Sequence, residues 1–207
     1  MPTYAHRGLH TTARGENTIY AFHQAMQRMD GFECDVRLSK DNVPMIIHDR
    51  SLYRTHRRRK LVASTSSADL EAMGIPPLRR VLQLLQGNSA TAILDLKVKP
   101  VALMHQTRRL CRQLRVPLHQ VIFLVWEDVA ASSIPSGSRV YRARNFQFNV
   151  HGSDAYEGVA CKYSGSAVNR QSINRALSAG FSVNLYPSGR KHVRAARDYQ
   201  EVCSFTI

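Results

Sequence analysis

Apolar runs alternate with amphipathic segments along the whole chain. Eight short runs predict β-strands, at 3–7, 32–38, 91–97, 120–126, 139–143, 158–163, 181–186 and 202–207. Apolar positions at helical spacing predict helices between them, at 17–29, 67–86 with a break near Pro76-Pro77, 101–115, 169–179 and 190–200, with a further short helix within 127–135. Strands that alternate with helices are typical of an α/β protein with a parallel sheet.

One segment departs from this alternation. Ser39 to Asn42 is a turn signal, and Val43 to His48 is a second extended run, so residues 39–49 predict a β-hairpin that returns towards the end of strand 32–38. Without the hairpin, eight strands remain, which is the number that closes a (β/α)8 TIM barrel. We therefore predict a compact single domain, 1–207, with this insertion after the second strand; an open doubly wound sheet is the alternative.

Composition predicts a globular protein, with 43% hydrophobic residues and no run of eighteen apolar residues that would span a membrane. The first residues lack the charged and apolar regions of a secretory signal. The four cysteines, Cys34, Cys111, Cys161 and Cys203, are widely separated and form no CxxC pair, which favours free thiols over a disulfide framework or a zinc site. A reducing cytoplasm is the expected location.

The unusual bulk property is charge. Lys and Arg number 29 and Asp and Glu 15, a net charge of +14. Five of the basic residues lie in one stretch, namely Arg54, Arg57, Arg58, Arg59 and Lys60. Such a surface suits a small phosphate ester, an acidic membrane surface or nucleic acid. The chain lacks the clustered aromatics of a single-strand stacking platform, so nucleic acid is the least favoured of the three.

Paired carboxylates mark two of the predicted strands. Glu33 and Asp35 are two residues apart, so both point to one face of strand 32–38, while Cys34 points to the other. Asp95 and Lys97 repeat this spacing on the next barrel strand. Carboxylates at this spacing can chelate a hard divalent cation through oxygen. A buried Lys97–Asp95 salt bridge that only closes the barrel is the structural alternative.

Two histidines also lie at strand ends. His6 and Arg7 end the first strand, and Gly8 allows a sharp turn or a close ligand. His48 and Asp49 end the hairpin. Two imidazoles can serve as base and acid on opposite sides of a phosphorus atom, while an arginine and a cation balance the charge on its oxygens.

Several motifs in fixed order resemble the glycerophosphodiester phosphodiesterase family. They are Ala5-His6-Arg7-Gly8, Glu16-Asn17-Thr18, Glu33-x-Asp35-Val36, His48-Asp49 and Asp95-x-Lys97. The strong matches cover about the first half of the chain. The resemblance implies a TIM barrel that hydrolyses glycerophosphodiesters to glycerol 3-phosphate and an alcohol, with one divalent cation, Mg²⁺ or Ca²⁺.

The resemblance also implies residue roles. His6 and His48 would form the acid/base pair, and Glu33, Asp35 and Asp95 would hold the metal. A further set would contact the substrate: Arg7, Glu16, Lys97 and Tyr186. The chain departs from the family at Asp95, where the family usually has Glu, and at 186–189, where Tyr-Pro-Ser-Gly replaces Trp-Thr-Val-Asn.

Two other functions stay open at this point. One is a barrel with weak catalysis that binds phosphate or nucleic acid through its basic surface. The other is a lysophospholipase D or a cyclising phospholipase at membrane surfaces, in which an internal hydroxyl of the substrate attacks phosphorus. The cyclising chemistry would use the same histidines, His6 and His48, so the residues do not separate it from hydrolysis.

Overall fold

A computed structural model of the protein describes residues 2–145, 156–187, 199 and 204–207, and within these ranges strands and helices alternate. The strands are β1 (Thr3–Ala5), β2 (Gly31–Leu38), β3 (Pro44–Ile46), β4 (Thr91–Leu96), β5 (Val121–Val125), β6 (Arg139–Arg144), β7 (Gly158–Tyr163), β8 (Ser182–Pro187) and β9 (Ser204–Thr206). The helices are α1 (Ile19–Met26), α2 (Tyr53–His56), α3 (Ser67–Ala72), α4 (Leu78–Leu84), α5 (Pro100–Leu114) and α6 (Ala167–Ser178).

The strands form one sheet that closes on itself. Their order is β1-β9-β8-β7-β6-β5-β4-β2-β3, and β1 also pairs with β2. All pairings are parallel except that of β2 with β3. Eight parallel strands therefore make the predicted TIM barrel, and the open doubly wound sheet is excluded by the β1–β2 pairing.

The local predictions agree closely with these elements. The hairpin is confirmed, because Val36 pairs with Ile46 in the antiparallel β2–β3 ladder. The break in segment 67–86 is confirmed as well, since Pro77 is the N-cap of α4. Segment 127–135 holds only a 3₁₀ turn, Ala131–Ser133. The predicted helix 190–200 lies outside the described residues except for Tyr199.

Alternation along the strands sorts side chains into two layers. Apolar side chains that point outward pack against the helices; they include Phe32, Cys34 and Leu94. Inward positions fill the barrel with a smaller cluster of Tyr4, Ile93, Ile122, Leu124, Tyr141, Ala143 and Ala160. Polar residues lie beyond this cluster, at the carboxyl ends of the strands. None of the described helices combines the length and apolar character that crossing a membrane requires.

Candidate active site

The predicted site residues converge at the carboxyl ends of the barrel strands. A cavity of about 360 Å³ opens there, lined by eight of them: His6, Arg7, Glu33, Asp35, His48, Asp95, Lys97 and Tyr186. The ninth, Glu16, lies behind this wall and reaches the cavity through Arg7, whose Nη1 donates a hydrogen bond to Glu16 Oε2 at 3.1 Å. The sequence therefore identified residues that the fold brings together.

Three carboxylates form the most buried part of the cavity. Glu33 and Asp35 on β2 and Asp95 on β4 each offer an oxygen within 4.8 Å of the others. They are 1%, 1% and 4% exposed, and Asp35 pairs directly with Asp95 in the β2–β4 register. Buried carboxylates need compensation by cations or protons. Three carboxylates this close together therefore require a nearby cation or a bound proton.

The three carboxylates differ in how burial and nearby charges shift their pKa values. Burial, reinforced by the charges of Asp35 and Asp95, raises the pKa of Glu33 well above its usual range. Burial alone would also raise the pKa of Asp35, but Lys97, His48 and Arg7 lower it instead. Burial raises the pKa of Asp95. Of the three carboxylates, Glu33 is thus the one whose ionised form is least stabilised by neighbouring cations.

Lys97 joins two of the three carboxylates. Its Nζ lies 3.0 Å from Asp35 Oδ1 and 2.5 Å from Asp95 Oδ2. Burial would lower the pKa of Lys97, but Asp35 and Asp95 raise it, so the ammonium keeps its charge. The predicted salt bridge between Lys97 and Asp95 is present, and it lies inside the cavity rather than in a separate structural core.

Trp126 is a site residue that sequence reasoning missed. Its Nε1 donates to both oxygens of Asp95, at 3.1 and 3.2 Å, and its ring centroid lies 5.9 Å from Lys97 Nζ. Trp126 follows β5 directly, so its position at a strand end was the available signal. The indole fixes Asp95 from the side opposite β2.

Asn17 holds Asp35 in a similar way. The Asn17 amide donates from Nδ2 to Asp35 Oδ2 at 2.8 Å, and its Oδ1 accepts from the Asp35 backbone N–H at 3.1 Å. Asn17 is 4% exposed and has a φ of 56°, a conformation that asparagine tolerates better than most residues. The Glu16-Asn17-Thr18 motif therefore supplies a second support for the carboxylate cluster.

The turn after β1 brings His6 and Arg7 against Glu33. Gly8 has a φ of +79°, and a Cβ there would lie 2.8 Å from Ala21 Cβ, so the turn packs tightly on α1. The Arg7 backbone N–H donates to Glu33 Oε2 at 2.9 Å, and His6 Nε2 lies 3.9 Å from the same oxygen. Burial at the cavity edge and the charge of Arg7 lower the pKa of His6 to about 4.

Tyr186 forms the neighbouring edge of the mouth. Its ring lies edge-on to the His6 imidazole, with centroids 6.0 Å apart and planes at 83°. Burial and the charges of Glu33 and Asp95 raise the pKa of the Tyr186 phenol well above its usual range, so it stays neutral. The phenol presents a neutral polar group to the cavity.

An ion-pair network holds His48, which lines the same cavity. Its Nδ1 lies 2.6 Å from Asp49 Oδ1, and Arg54 Nε donates to Asp49 Oδ2 at 2.6 Å. Arg54 Nη2 continues to Glu16 Oε1 at 2.5 Å. Arg54 therefore differs from the rest of the basic stretch, because its guanidinium contacts Asp49 and Glu16. The other basic residues of the stretch are exposed, namely Arg57, Arg58, Arg59 and Lys60. An acidic membrane surface as partner for them stays a prediction.

Arg54→Met is expected to raise the pKa of Asp49 from about 2 towards 3.8. Burial opposes the low value, and the hydrogen bonds from Arg54 and His48 produce it. A carboxyl whose pKa is lowered by folding stabilises the protein above its unfolded pKa and loses this contribution as the pH falls through its folded pKa. The variant should therefore lose less stability than wild type between pH 4 and 2.

A carboxyl ¹³C NMR titration of Asp49 checks this, with Arg50→Met as the control because Arg50 is exposed and next in sequence to Asp49. An unchanged Asp49 pKa in Arg54→Met would contradict the network.

The protein is a TIM barrel with buried carboxylates and two histidines at the carboxyl ends of its strands. TIM-barrel enzymes carry their active sites at this face, so the fold and the site define a barrel enzyme. A family model described as "Glycerophosphoryl diester phosphodiesterase family" matches residues 6–116. The chain belongs to this family.

Curated relatives match over part of their length. "Probable glycerophosphodiester phosphodiesterase 1" of Mycobacterium tuberculosis is 41% identical over 70 residues, which cover 33% of this chain and 25% of that protein. A "Glycerophosphodiester phosphodiesterase" of Bacillus altitudinis is 35% identical over 104 residues, covering 44% and 42%. The chain thus spans a quarter to less than half of these relatives in the matched regions.

Solved structures match over almost their whole length. A glycerophosphodiester phosphodiesterase from Agrobacterium tumefaciens has a TM-score of 0.77 at 22% identity, covering 100% of this chain and 95% of its own. An Oleispira antarctica phosphodiesterase, solved in complex with the product sn-glycerol-3-phosphate, has a TM-score of 0.75 at 21% identity, covering 100% and 92%. At these identities the likeness establishes the fold.

Proposed function

We propose that the protein is a metal-dependent phosphodiesterase that hydrolyses a glycerophosphodiester to sn-glycerol 3-phosphate and an alcohol. The observation that carries this proposal is the placement of two histidines and three buried carboxylates around one cavity. Family membership, the names of the relatives and the product bound to the Oleispira antarctica protein support the choice of substrate.

The carboxylate cluster fits a divalent cation. Glu33, Asp35 and Asp95 offer hard oxygen ligands within 4.8 Å of one another, the donor type that Mg²⁺ and Ca²⁺ prefer. Burial and the charges of Asp35 and Asp95 raise the pKa of Glu33, so the cluster disfavours three ionised carboxylates unless a further cation is bound. When bound, the cation supplies electrostatic stabilisation of the charge that develops on the phosphoryl oxygens.

His6 and His48 line the same cavity as this cluster, and we assign them the proton transfers. One imidazole accepts a proton from the attacking water, and the other donates one to the leaving oxygen. The Asp49 carboxylate fixes the ring of His48 through Nδ1 and leaves Nε2 for the substrate. Arg7 and Lys97 add fixed positive charge for the phosphate, Glu16 orients Arg7, and Tyr186 borders the substrate at the mouth.

Product identification tests the reaction. Glycerophosphoglycerol incubated with the protein and Mg²⁺ or Ca²⁺ should yield the ³¹P NMR signal of a phosphate monoester. A cyclic phosphate signal would instead support the cyclising alternative, in which an internal hydroxyl replaces water. Absence of turnover with every divalent cation would overturn the proposal.

Trp126 provides an independent test of the cation site, because it is the single tryptophan of the chain and contacts Asp95. Cation binding should change its fluorescence. Trp126→Phe removes the hydrogen bonds to Asp95 and should weaken cation binding about tenfold, as loss of a ligand-orienting contact does. Calorimetric titration measures this affinity, and an affinity equal to wild type would contradict the role given to Trp126.

A further inference from the structure

Two basic residues in the cavity have no part in the carboxylate and histidine site. Arg144 ends β6 and Lys162 lies near the carboxyl end of β7, and both line the same cavity as the histidines. Lys162 is two residues from Ala160, a member of the barrel-interior cluster, so alternation points its side chain inward, and it is exposed at the mouth. We call Arg144 and Lys162 the basic wall.

The basic wall faces the rest of the site across the barrel. Among the eight parallel strands, β7 lies four strands from β2 in either direction, and β6 lies four strands from β1. Lys162 is therefore opposite the strand of Glu33 and Asp35, and Arg144 is opposite the strand that leads into His6. Because both groups of residues line one cavity, a molecule whose phosphodiester contacts the histidines and carboxylates has room to extend across the mouth towards the basic wall.

The charge of the basic wall is largely uncompensated. Arg7 and Lys97, the other cations of the cavity, lie 3.4 and 3.0 Å from Asp35. Arg144 Nη2 is 3.9 Å from Asp128 Oδ1, an oxygen that already lies 3.0 Å from Arg142 Nε. Lys162 forms no ion pair with any acidic residue in the described ranges. Positive charge thus remains available for a ligand.

We propose that the basic wall is a second anion site, and that the preferred substrate is a glycerophosphodiester whose alcohol carries a phosphate monoester. This inference rests on the proposed hydrolysis. A guanidinium fork and an ammonium are the usual partners of a phosphate dianion. A cationic alcohol such as choline would meet two like charges at this position.

A matched substrate pair tests the site, namely glycerophosphoinositol and glycerophosphoinositol 4-phosphate. We expect wild type to have about tenfold higher kcat/KM for the phosphorylated substrate, and this preference should decrease at high salt because the mouth is open to solvent. Arg144→Gln and Lys162→Gln should each reduce the preference about threefold, through KM rather than kcat. Arg112→Gln is the control, because Arg112 is exposed in the last turn of α5, away from the cavity.

The outcomes separate this inference from the function on which it rests. Hydrolysis of both substrates at equal kcat/KM, or a preference that survives both substitutions, would overturn the second anion site and leave the phosphodiesterase intact. Failure to hydrolyse either substrate or glycerophosphoglycerol would overturn the proposed function itself. Loss of activity on both substrates by equal factors in Lys162→Gln would also count against the site.

Discussion

Replacing His48 with Gln is expected to lower kcat for glycerophosphoglycerol by roughly 100- to 10,000-fold, the range for loss of a general acid or base. The same loss is expected for His6→Gln. Both rings line the cavity that contains the carboxylate cluster; His6 Nε2 lies 3.9 Å from Glu33 Oε2, and His48 Nδ1 lies 2.6 Å from Asp49 Oδ1. Neither substitution removes a core side chain, so both variants should fold and unfold as wild type does.

The leaving group distinguishes the roles of the two histidines. A p-nitrophenyl phosphodiester needs little protonation of its leaving oxygen, so the variant that lacks the acid should recover much of its rate on this substrate. The variant that lacks the base should not. His23→Gln is a matched control, because His23 is exposed on α1. Rates of both site variants within a few-fold of wild type on both substrates would contradict acid/base catalysis by these residues.

Glu33→Gln is expected to abolish cation binding and, because the cation stabilises the transition state, to lower activity by about 100-fold or more without loss of fold. Glu33 is the clearest member of the cluster for this purpose, because burial and the charges of Asp35 and Asp95 raise its pKa and so disfavour its ionised form in the cation-free protein. A neutral amide of similar shape relieves the repulsion from Asp35 and Asp95. The cation-free variant should therefore have a Tm equal to or above that of wild type.

Thermal unfolding with and without Mg²⁺ or Ca²⁺ measures this difference. Wild type should gain stability from a cation that binds the native state, and Glu33→Gln should gain none. Glu71→Gln on the exposed surface of α3 is the control for the loss of one carboxylate. An equal rise in Tm in Glu33→Gln and wild type would place cation binding elsewhere.

Periodicity predicted the barrel well because each strand of a TIM barrel is a short apolar run between amphipathic helices. The same reasoning placed Glu33 and Asp35 on one face and Cys34 on the other, which the burial of Cys34 among the outward apolar residues confirms. Convergence of these residues follows from the fold, since parallel strands present their carboxyl ends at one mouth. The hydrophobic pattern and the parallel strand topology were therefore sufficient to predict where these side chains lie.

The supporting contacts could not be predicted in this way. The Trp126–Asp95 and Arg54–Glu16 contacts join residues 31 and 38 positions apart, and their formation depends on loop paths that periodicity does not encode. The sequence predicts Arg54 as a member of a basic stretch that attracts an anionic partner, and nothing in the charge run indicates its ion pairs with Glu16 and Asp49. The position of Lys162 in the site could not be predicted from the sequence, because it depends on the strand order that places β7 opposite β2.

The departure at Asp95 also becomes interpretable. Asp95 is one methylene shorter than the Glu that the family usually has, yet it is held by Lys97 at 2.5 Å and by the Trp126 indole at 3.1 Å. These contacts keep its carboxylate within 4.8 Å of Glu33 and Asp35. The shorter side chain is therefore still a member of the cluster.

Metal-dependent hydrolysis is tested most directly with glycerophosphoglycerol and protein stripped of metal with EDTA, before and after Mg²⁺ or Ca²⁺ is returned. We expect negligible turnover without a cation, recovery on its return, and sn-glycerol 3-phosphate as the product. Recovery should be absent in Glu33→Gln. Full activity of the stripped protein, or no activity with either cation, would contradict metal-dependent hydrolysis at this site.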